Sequence, residues 1–149
     1  LRPTDIQAAL GIAQLRKLPR FVESRKRNFR ILYEEFHKYE SYFILPESLP
    51  KADPCWFAFP LTVRDNLRFR RDDLIKWYEK CRIETRLLFA GNIVRQPAYR
   101  KIVYQKSGGL NNSDQVMTRT FFLGIYPGID NERMTYVAEK TAEFISNYG

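Results

Sequence analysis

The chain has 149 residues, of which 44% are hydrophobic and 28% are charged, and its formal net charge is +8. This length and balance are typical of one soluble globular domain with its own core, and they exclude a disordered chain. No apolar run approaches the roughly 20 residues that cross a bilayer and no secretory signal opens the chain, so we expect a cytoplasmic protein without membrane insertion. Acidic residues interrupt the basic ones in most segments, which leaves a basic nucleic-acid-binding module as a remote alternative.

Two helices are predicted over residues 1–40. Thr4 and Gln7 have the spacing of a capping box, so the first helix begins just after Thr4. Its apolar stripe consists mostly of small residues, which predicts close packing against another element; these are Ile6, Ala9, Leu10 and Ala13. Pro19 restarts the chain in a second helix, because proline is tolerated in a first turn. The helical spacing of apolar residues then predicts one long amphipathic helix, with Val22, Phe29, Leu32, Phe36 and Tyr39 on its buried side.

Residues 57–63 predict a strand, because large apolar residues alternate there with a period of two. Pro60 lies in the middle of this segment and has no backbone N–H to donate to a neighbouring strand. We therefore expect the strand at an edge of the sheet or at a bulge.

The later elements are shorter. The sequence predicts a helix in RRDDLIKWYEKC, a strand in RIETRLL, a short helix capped by Asn112 or Ser113, a strand in RTFFLGIYPG and a last helix capped by Asp130 or Asn131. About three strands, with helices of unequal length on one face, predict an α+β fold.

Residue types that carry chemistry are sparse. Cys55 and Cys81 match no metal or redox spacing and are predicted to be reduced, mostly buried thiols. His37 lies in the long helix and is predicted to be a partly exposed helix residue. Asp72 and Asp73 are adjacent acids in a helix first turn, where they point in different directions and make a poor acid–base pair. The sequence therefore predicts no catalytic residue and no metal ligand.

One stretch contains both apolar residues of the kind found in a core and two arginines. It is TRLLFAGNIVRQPAY, over residues 85–99. Arg86 follows Thr85 at the end of a predicted strand, Phe89 is able to wall a pocket, and Asn92 and Arg95 lie in the turn that follows. Arginines offer paired N–H groups to phosphate or sugar oxygens. The other interpretation is a loop whose arginines face solvent or pair with neighbouring acids, and residue chemistry alone leaves both open.

Three segments in order resemble one family of enzymes: RPTDIQAALGIAQL, TRLLFAGNIVRQPAY and FFLGIYPGI. They are similar to the DegT/DnrJ/EryC/StrS sugar aminotransferase family, whose vitamin B6-dependent members modify nucleotide-linked 4-keto sugars. The longer motifs resemble in particular the nucleotide-sugar 3-dehydrases of lipopolysaccharide and O-antigen biosynthesis. The resemblance runs from the first residues to the last and is weaker near residues 41–54 and 100–112.

This resemblance implies the small C-terminal domain of a fold-type I pyridoxal phosphate-dependent transferase. That domain has a long N-terminal helix and a small, mainly antiparallel sheet covered by helices. Residues 1–149 would be one domain at the end of a larger enzyme, with a connecting helix pair over 1–40 and the sheet and helices over 55–149. The isolated chain would then be inactive and hold no stable cofactor.

The resemblance also implies a function for the whole enzyme. Pyridoxamine or pyridoxal 5'-phosphate would support removal of the 3-hydroxyl from a nucleotide-linked 4-keto-6-deoxy sugar, in a homodimer that in some cases works with a reductase. Arg86 is the first candidate substrate contact, Phe89, Asn92 and Arg95 follow, and Arg2 is a weaker candidate for the cofactor across the dimer. Ligands of an iron–sulfur cluster would lie upstream. An aminotransferase with the same domain remains the alternative, because the deciding lysine or histidine would also lie upstream.

Overall fold

The computed structural model describes residues 2–149. Within them the chain forms five α-helices, which are α1 (Asp5–Leu15), α2 (Leu18–His37), α3 (Arg71–Lys80), α4 (Asn111–Arg119) and α5 (Asn131–Tyr148). The strands of the same region are β1 (Phe43–Ile44), β2 (Ala58–Val63), β3 (Thr85–Leu87) and β4 (Thr120–Gly124). None of the helices in this described region is both long and apolar enough to cross a membrane.

The four strands form one antiparallel sheet in the order β1-β2-β4-β3. The predicted α+β fold with a small, mainly antiparallel sheet is confirmed. The sequence prediction missed β1, because a strand of two residues has no periodicity to detect. It is recognisable only by its pairing, in which Phe43 lies opposite Val63.

The position of Pro60 explains how proline fits into this sheet. The prediction of an edge strand is wrong for β2 as a whole, because β2 lies between β1 and β4. Pro60 nevertheless lies where β2 has a neighbouring strand on one side only. Pro60 pairs with Phe122 of β4 on one side, whereas the short β1 reaches only Thr62 and Val63 on the other. A proline whose nitrogen faces the side without a partner strand removes no bond from the ladder.

The core lies between one face of the sheet and three helices. Alternate residues of β2 and β4 supply the sheet side, as the period of two predicted for β2. Fully or almost fully buried members of the core are Phe59, Leu61, Val63, Phe121 and Leu123 from the sheet, Leu32 and Phe36 from α2, Leu74 and Tyr78 from α3, and Met134 and Phe144 from α5. Helices therefore cover one face of the sheet as expected.

Helix α1 begins as predicted but packs differently. The Thr4 hydroxyl accepts from the Gln7 amide at 3.3 Å, and the Gln7 side chain accepts from the Thr4 amide at 2.9 Å, so the capping box is confirmed. The expected close packing is not found among residues 2–149. No residue of α1 is buried, and Ile6 is 84% and Leu10 62% exposed.

Two further details differ from the sequence predictions. Helix α4 begins at Asn111 with Leu110 in the cap position, so Asn112 and Ser113 lie inside the helix. Both cysteines are free, but Cys55 is exposed, contrary to the prediction of a buried thiol. Cys55 follows a proline-rich loop that lies outside the core.

A buried hydrogen bond ties α3 to α5. The Tyr78 and Thr141 hydroxyls lie 2.6 Å apart, and Thr141 donates to the Val137 carbonyl at 2.7 Å, so Tyr78 is the donor in the first bond. Burial raises the pKa of the Tyr78 phenol, which keeps it protonated.

We expect Tyr78→Phe to lower the free energy of unfolding by about 1 kcal/mol, because one bond is lost while Thr141 keeps its donation to Val137. Thr141→Val should lower the free energy of unfolding by more, because it also leaves the buried Tyr78 hydroxyl without an acceptor. Urea unfolding of both variants measures the difference, and equal losses would contradict this assignment of donor and acceptor.

Candidate functional site

A cavity of about 640 Å³ opens where β3, the end of β4, the end of α3 and the start of α5 meet. Its apolar wall comes from core residues such as Ile83, Leu123 and Met134. Charged side chains also line it, and these are Arg25, Arg82, Arg86, Arg133 and Glu84. Four guanidinium groups against one carboxylate make the cavity suited to an anionic ligand.

Arg86 lies in β3 opposite Phe122 of β4. Its Nε and Nη2 donate to a single oxygen of Glu84, at 3.1 and 3.0 Å. The Arg86 side chain is 71% exposed and the Glu84 side chain is exposed as well. A surface pair of this kind contributes little to stability, so the guanidinium remains available to a ligand.

Two other arginines of the cavity are anchored by protein groups. Arg25 of α2 donates from Nη1 to the Phe57 carbonyl at 2.7 Å and to the Trp56 carbonyl at 3.3 Å. Arg133 of α5 pairs with Asp130, whose side chain also caps that helix by accepting from the Arg133 amide at 2.9 Å. These bonds hold both positive charges beside the cavity.

Arg82 differs from its three neighbours. It follows Cys81, the C-cap of α3, and has a left-handed backbone, with a φ of 58°. Its side chain is exposed and makes no hydrogen bond or ion pair with any other residue of the described chain.

The turn after β3 is fastened to α4 by one carboxylate. Asp114 accepts from Asn92 Nδ2 at 2.7 Å and from Arg95 Nε and Nη2 at 3.1 and 3.0 Å. Arg95 and then Asn92 hold the pKa of Asp114 below its ordinary value. Asn92 is buried, and its side-chain oxygen accepts from the Val94 amide at 3.3 Å.

The same turn packs closely on α4 and exposes an aromatic ring. Gly91 has a φ of 63°, and a Cβ at this position would overlap the Met117 Cα, so only glycine fits. Phe89 is 83% exposed and also has a left-handed backbone, with a φ of 47°. A bulky residue rarely adopts this backbone conformation, and the exposed ring gains no burial in the core.

The structure separates the residues that the sequence singled out. Arg86 lines the cavity, Asn92 and Arg95 meet at Asp114 of α4, outside the cavity lining, and Phe89 and Arg2 are exposed elsewhere. The sequence reasoning missed Arg25, Arg82 and Arg133, because each comes from a different helix or helix end. Among residues 2–149, no cluster of His, Cys, Asp and Glu side chains could hold a metal ion.

Comparison with solved structures identifies the fold. The Escherichia coli GDP-4-keto-6-deoxy-D-mannose-3-dehydratase, solved with bound hydrated PLP, superposes with a TM-score of 0.82 over 94% of this chain and 36% of that chain, at 23% identity. The chain therefore has the fold of one portion of a pyridoxal phosphate-dependent enzyme.

Sequence comparison then gives the family. The profile of the DegT/DnrJ/EryC1/StrS aminotransferase family matches residues 1–142, so the chain belongs to this family. The lipopolysaccharide biosynthesis protein RfbH of Salmonella typhimurium is 44% identical over 97% of this chain and 33% of the relative. The dTDP-4-dehydro-2,6-dideoxy-D-glucose 3-dehydratase of Saccharopolyspora spinosa is 42% identical over 98% of this chain and 31% of the relative. The chain thus spans about a third of the length of these relatives.

Proposed function

We propose that this chain is the C-terminal domain of a vitamin B6-dependent enzyme that removes the 3-hydroxyl of a nucleotide-linked 4-keto-6-deoxy sugar in O-antigen or lipopolysaccharide biosynthesis. The observation that carries the proposal is the arginine-lined cavity beside β3, in a chain whose relatives include a 3-dehydratase at 42% identity. A nucleotide-sugar carries a diphosphate, and arginine binds phosphate oxygens through paired N–H groups.

The exposure of α1 supports a larger parent protein. A helix with Ile6 and Leu10 exposed and no buried residue lacks the apolar partner that such a helix needs. In the parent, another part of the enzyme would cover this face. Residues 1–40 would connect the domains, and residues 55–149 would form one wall of the substrate cleft. We further propose that the parent is a homodimer that acts in the cytoplasm, in some members with a reductase.

The substrate would meet this domain along β3 and the turn after it. Arg86 would bind the anionic part of the nucleotide-sugar, because its guanidinium is exposed beside the cavity. Phe89 would form an apolar wall. Asn92 and Arg95 belong to the same substrate-facing turn, and their bonds to Asp114 would hold it in shape.

The cofactor of the parent enzyme would meet this chain only at its periphery. The arginines of the cavity suit a phosphorylated ligand, and the exposed Arg2 is the residue that would reach the cofactor phosphate across the dimer. When bound, pyridoxamine or pyridoxal 5'-phosphate supplies the electron sink for loss of the hydroxyl. The residues of this chain would orient the sugar and exclude water. We propose that the ligands of any iron–sulfur cluster lie upstream of this chain and that Cys55 and Cys81 are not among them.

A sugar aminotransferase is the second candidate, because the family whose profile matches is described by that activity. The same C-terminal domain would serve it. The two activities leave different products, since a dehydrase removes the C3 oxygen whereas an aminotransferase places nitrogen at C4.

The full-length enzyme that contains this chain tests the proposal. Purified enzyme loaded with the cofactor would be incubated with CDP-, GDP- and dTDP-linked 4-keto-6-deoxy sugars, and the products read by mass spectrometry. Loss of the C3 hydroxyl supports the dehydrase. A 4-amino sugar formed with glutamate identifies the aminotransferase instead, and no turnover of any nucleotide-sugar, with a reductase supplied as well as without one, would reject both.

A further inference from the structure

The backbone at Arg82 has a conformation that suits glycine. After α3, the Ile83 amide donates to the Tyr78 carbonyl at 2.8 Å and the Arg82 amide to the Glu79 carbonyl at 3.0 Å. These bonds close the helix and require a left-handed residue between the helix and β3, which is why glycine is common there. An arginine at this position costs stability, because its Cβ crowds the backbone.

No contact of the Arg82 side chain with residues 2–149 compensates for this cost. Arg25 is bonded to two carbonyls, Arg133 to Asp130 and Arg86 to Glu84. The Arg82 side chain has no such partner among residues 2–149, although it lines the same cavity. All of its N–H donors are therefore free for a ligand.

We infer that Arg82 is a binding residue for the diphosphate of the substrate, acting with Arg86. This inference rests on the proposed function. A diphosphate has two phosphate groups, and each guanidinium offers two parallel N–H groups to one of them. With two anchored arginines nearby and only Glu84 opposing them in the cavity, the local charge favours a ligand with more than one negative charge.

The decisive variant is Arg82→Gly in the full-length enzyme. Glycine adopts the left-handed conformation without crowding, so the melting temperature should stay the same or rise, while the affinity for a nucleoside diphosphate should fall about tenfold. If the Arg82 side chain stabilised the fold, the variant would instead have a lower melting temperature. Calorimetric titration with CDP, GDP, dTDP, inorganic pyrophosphate and inorganic phosphate measures the affinities.

Asn66→Gly is the matched backbone control. Asn66 also has a left-handed backbone, with a φ of 59°, and it lies outside the cavity. This change should leave the affinity for every probe unaltered.

The outcomes separate the inference from the function on which it rests. Normal diphosphate affinity in Arg82→Gly would overturn the inference. If Arg86→Ala loses affinity while Arg82→Gly does not, the proposed function still stands. A lower melting temperature in Arg82→Gly assigns the side chain a structural role and also overturns the inference. Loss of affinity for inorganic phosphate, with the affinities for the diphosphates unchanged, shows a monophosphate site and also overturns the inference. A wild-type enzyme that binds no nucleoside diphosphate overturns the proposed function itself.

Discussion

Arg86→Ala in the full-length enzyme is expected to lower kcat/KM for the nucleotide-sugar roughly ten- to hundredfold, because a charge-assisted bond of about 1.5–3 kcal/mol is lost. Cofactor occupancy and melting temperature should be nearly unchanged. The Arg86–Glu84 pair is largely exposed and contributes little to stability, so its removal leaves the fold intact. Steady-state kinetics together with thermal unfolding measure both quantities.

Two further variants test whether this loss of activity is specific to the Arg86 guanidinium. Arg86→Lys should recover only part of the activity, because an ammonium does not reproduce the planar fork of guanidinium. Arg70→Ala is the control, since Arg70 is exposed at the start of α3 and lies outside the cavity. It should leave turnover unchanged. If Arg86→Ala instead unfolds at a much lower temperature while the folded fraction turns over normally, Arg86 is a structural residue and not a substrate contact.

Asn28→Asp is expected to destabilise the fold by at least about 3 kcal/mol. Asn28 is fully buried in α2, and its Nδ2 donates to the carbonyls of Ile129 at 3.1 Å, Tyr126 at 3.2 Å and Ile125 at 3.5 Å. An aspartate would place a carboxylate against these carbonyl oxygens with no N–H to offer. Because Ile125, Tyr126 and Ile129 also line the cavity, the same change should disturb its wall.

The comparison with two other variants makes this prediction specific. Asn28→Ala removes the donor without adding charge, so it should cost less, about 1–3 kcal/mol. Asn112→Asp makes the same chemical change at an exposed position in the first turn of α4, where a negative charge is favourable, and should have little effect. Urea unfolding of the three variants gives the order. An Asn28→Asp variant as stable as the wild type would show that this bond network does not hold the turn.

Interactions close in sequence were determined by the sequence itself. The Thr4–Gln7 capping box, the restart at Pro19 and the Asp130 cap of α5 each depend on residues within one helical turn, so their spacing predicted them. The buried side of β2 followed from a period of two for the same reason. The three motifs also predicted the family, because they lie along the chain in fixed order.

The tertiary structure alone decided which side chains share a site. The arginines of the cavity come from α2, the end of α3, β3 and α5, and no periodicity relates residues so far apart in the chain. Asn28 reaches carbonyls about a hundred residues away, and Asp114 gathers Asn92 and Arg95 from across two segments. Contacts of this kind depend on how the elements pack, and packing depends on the burial of the whole apolar core and not on any local pattern. The left-handed backbone of Arg82 is set in the same way, because the bonds that end α3 and the entry into β3 fix its conformation.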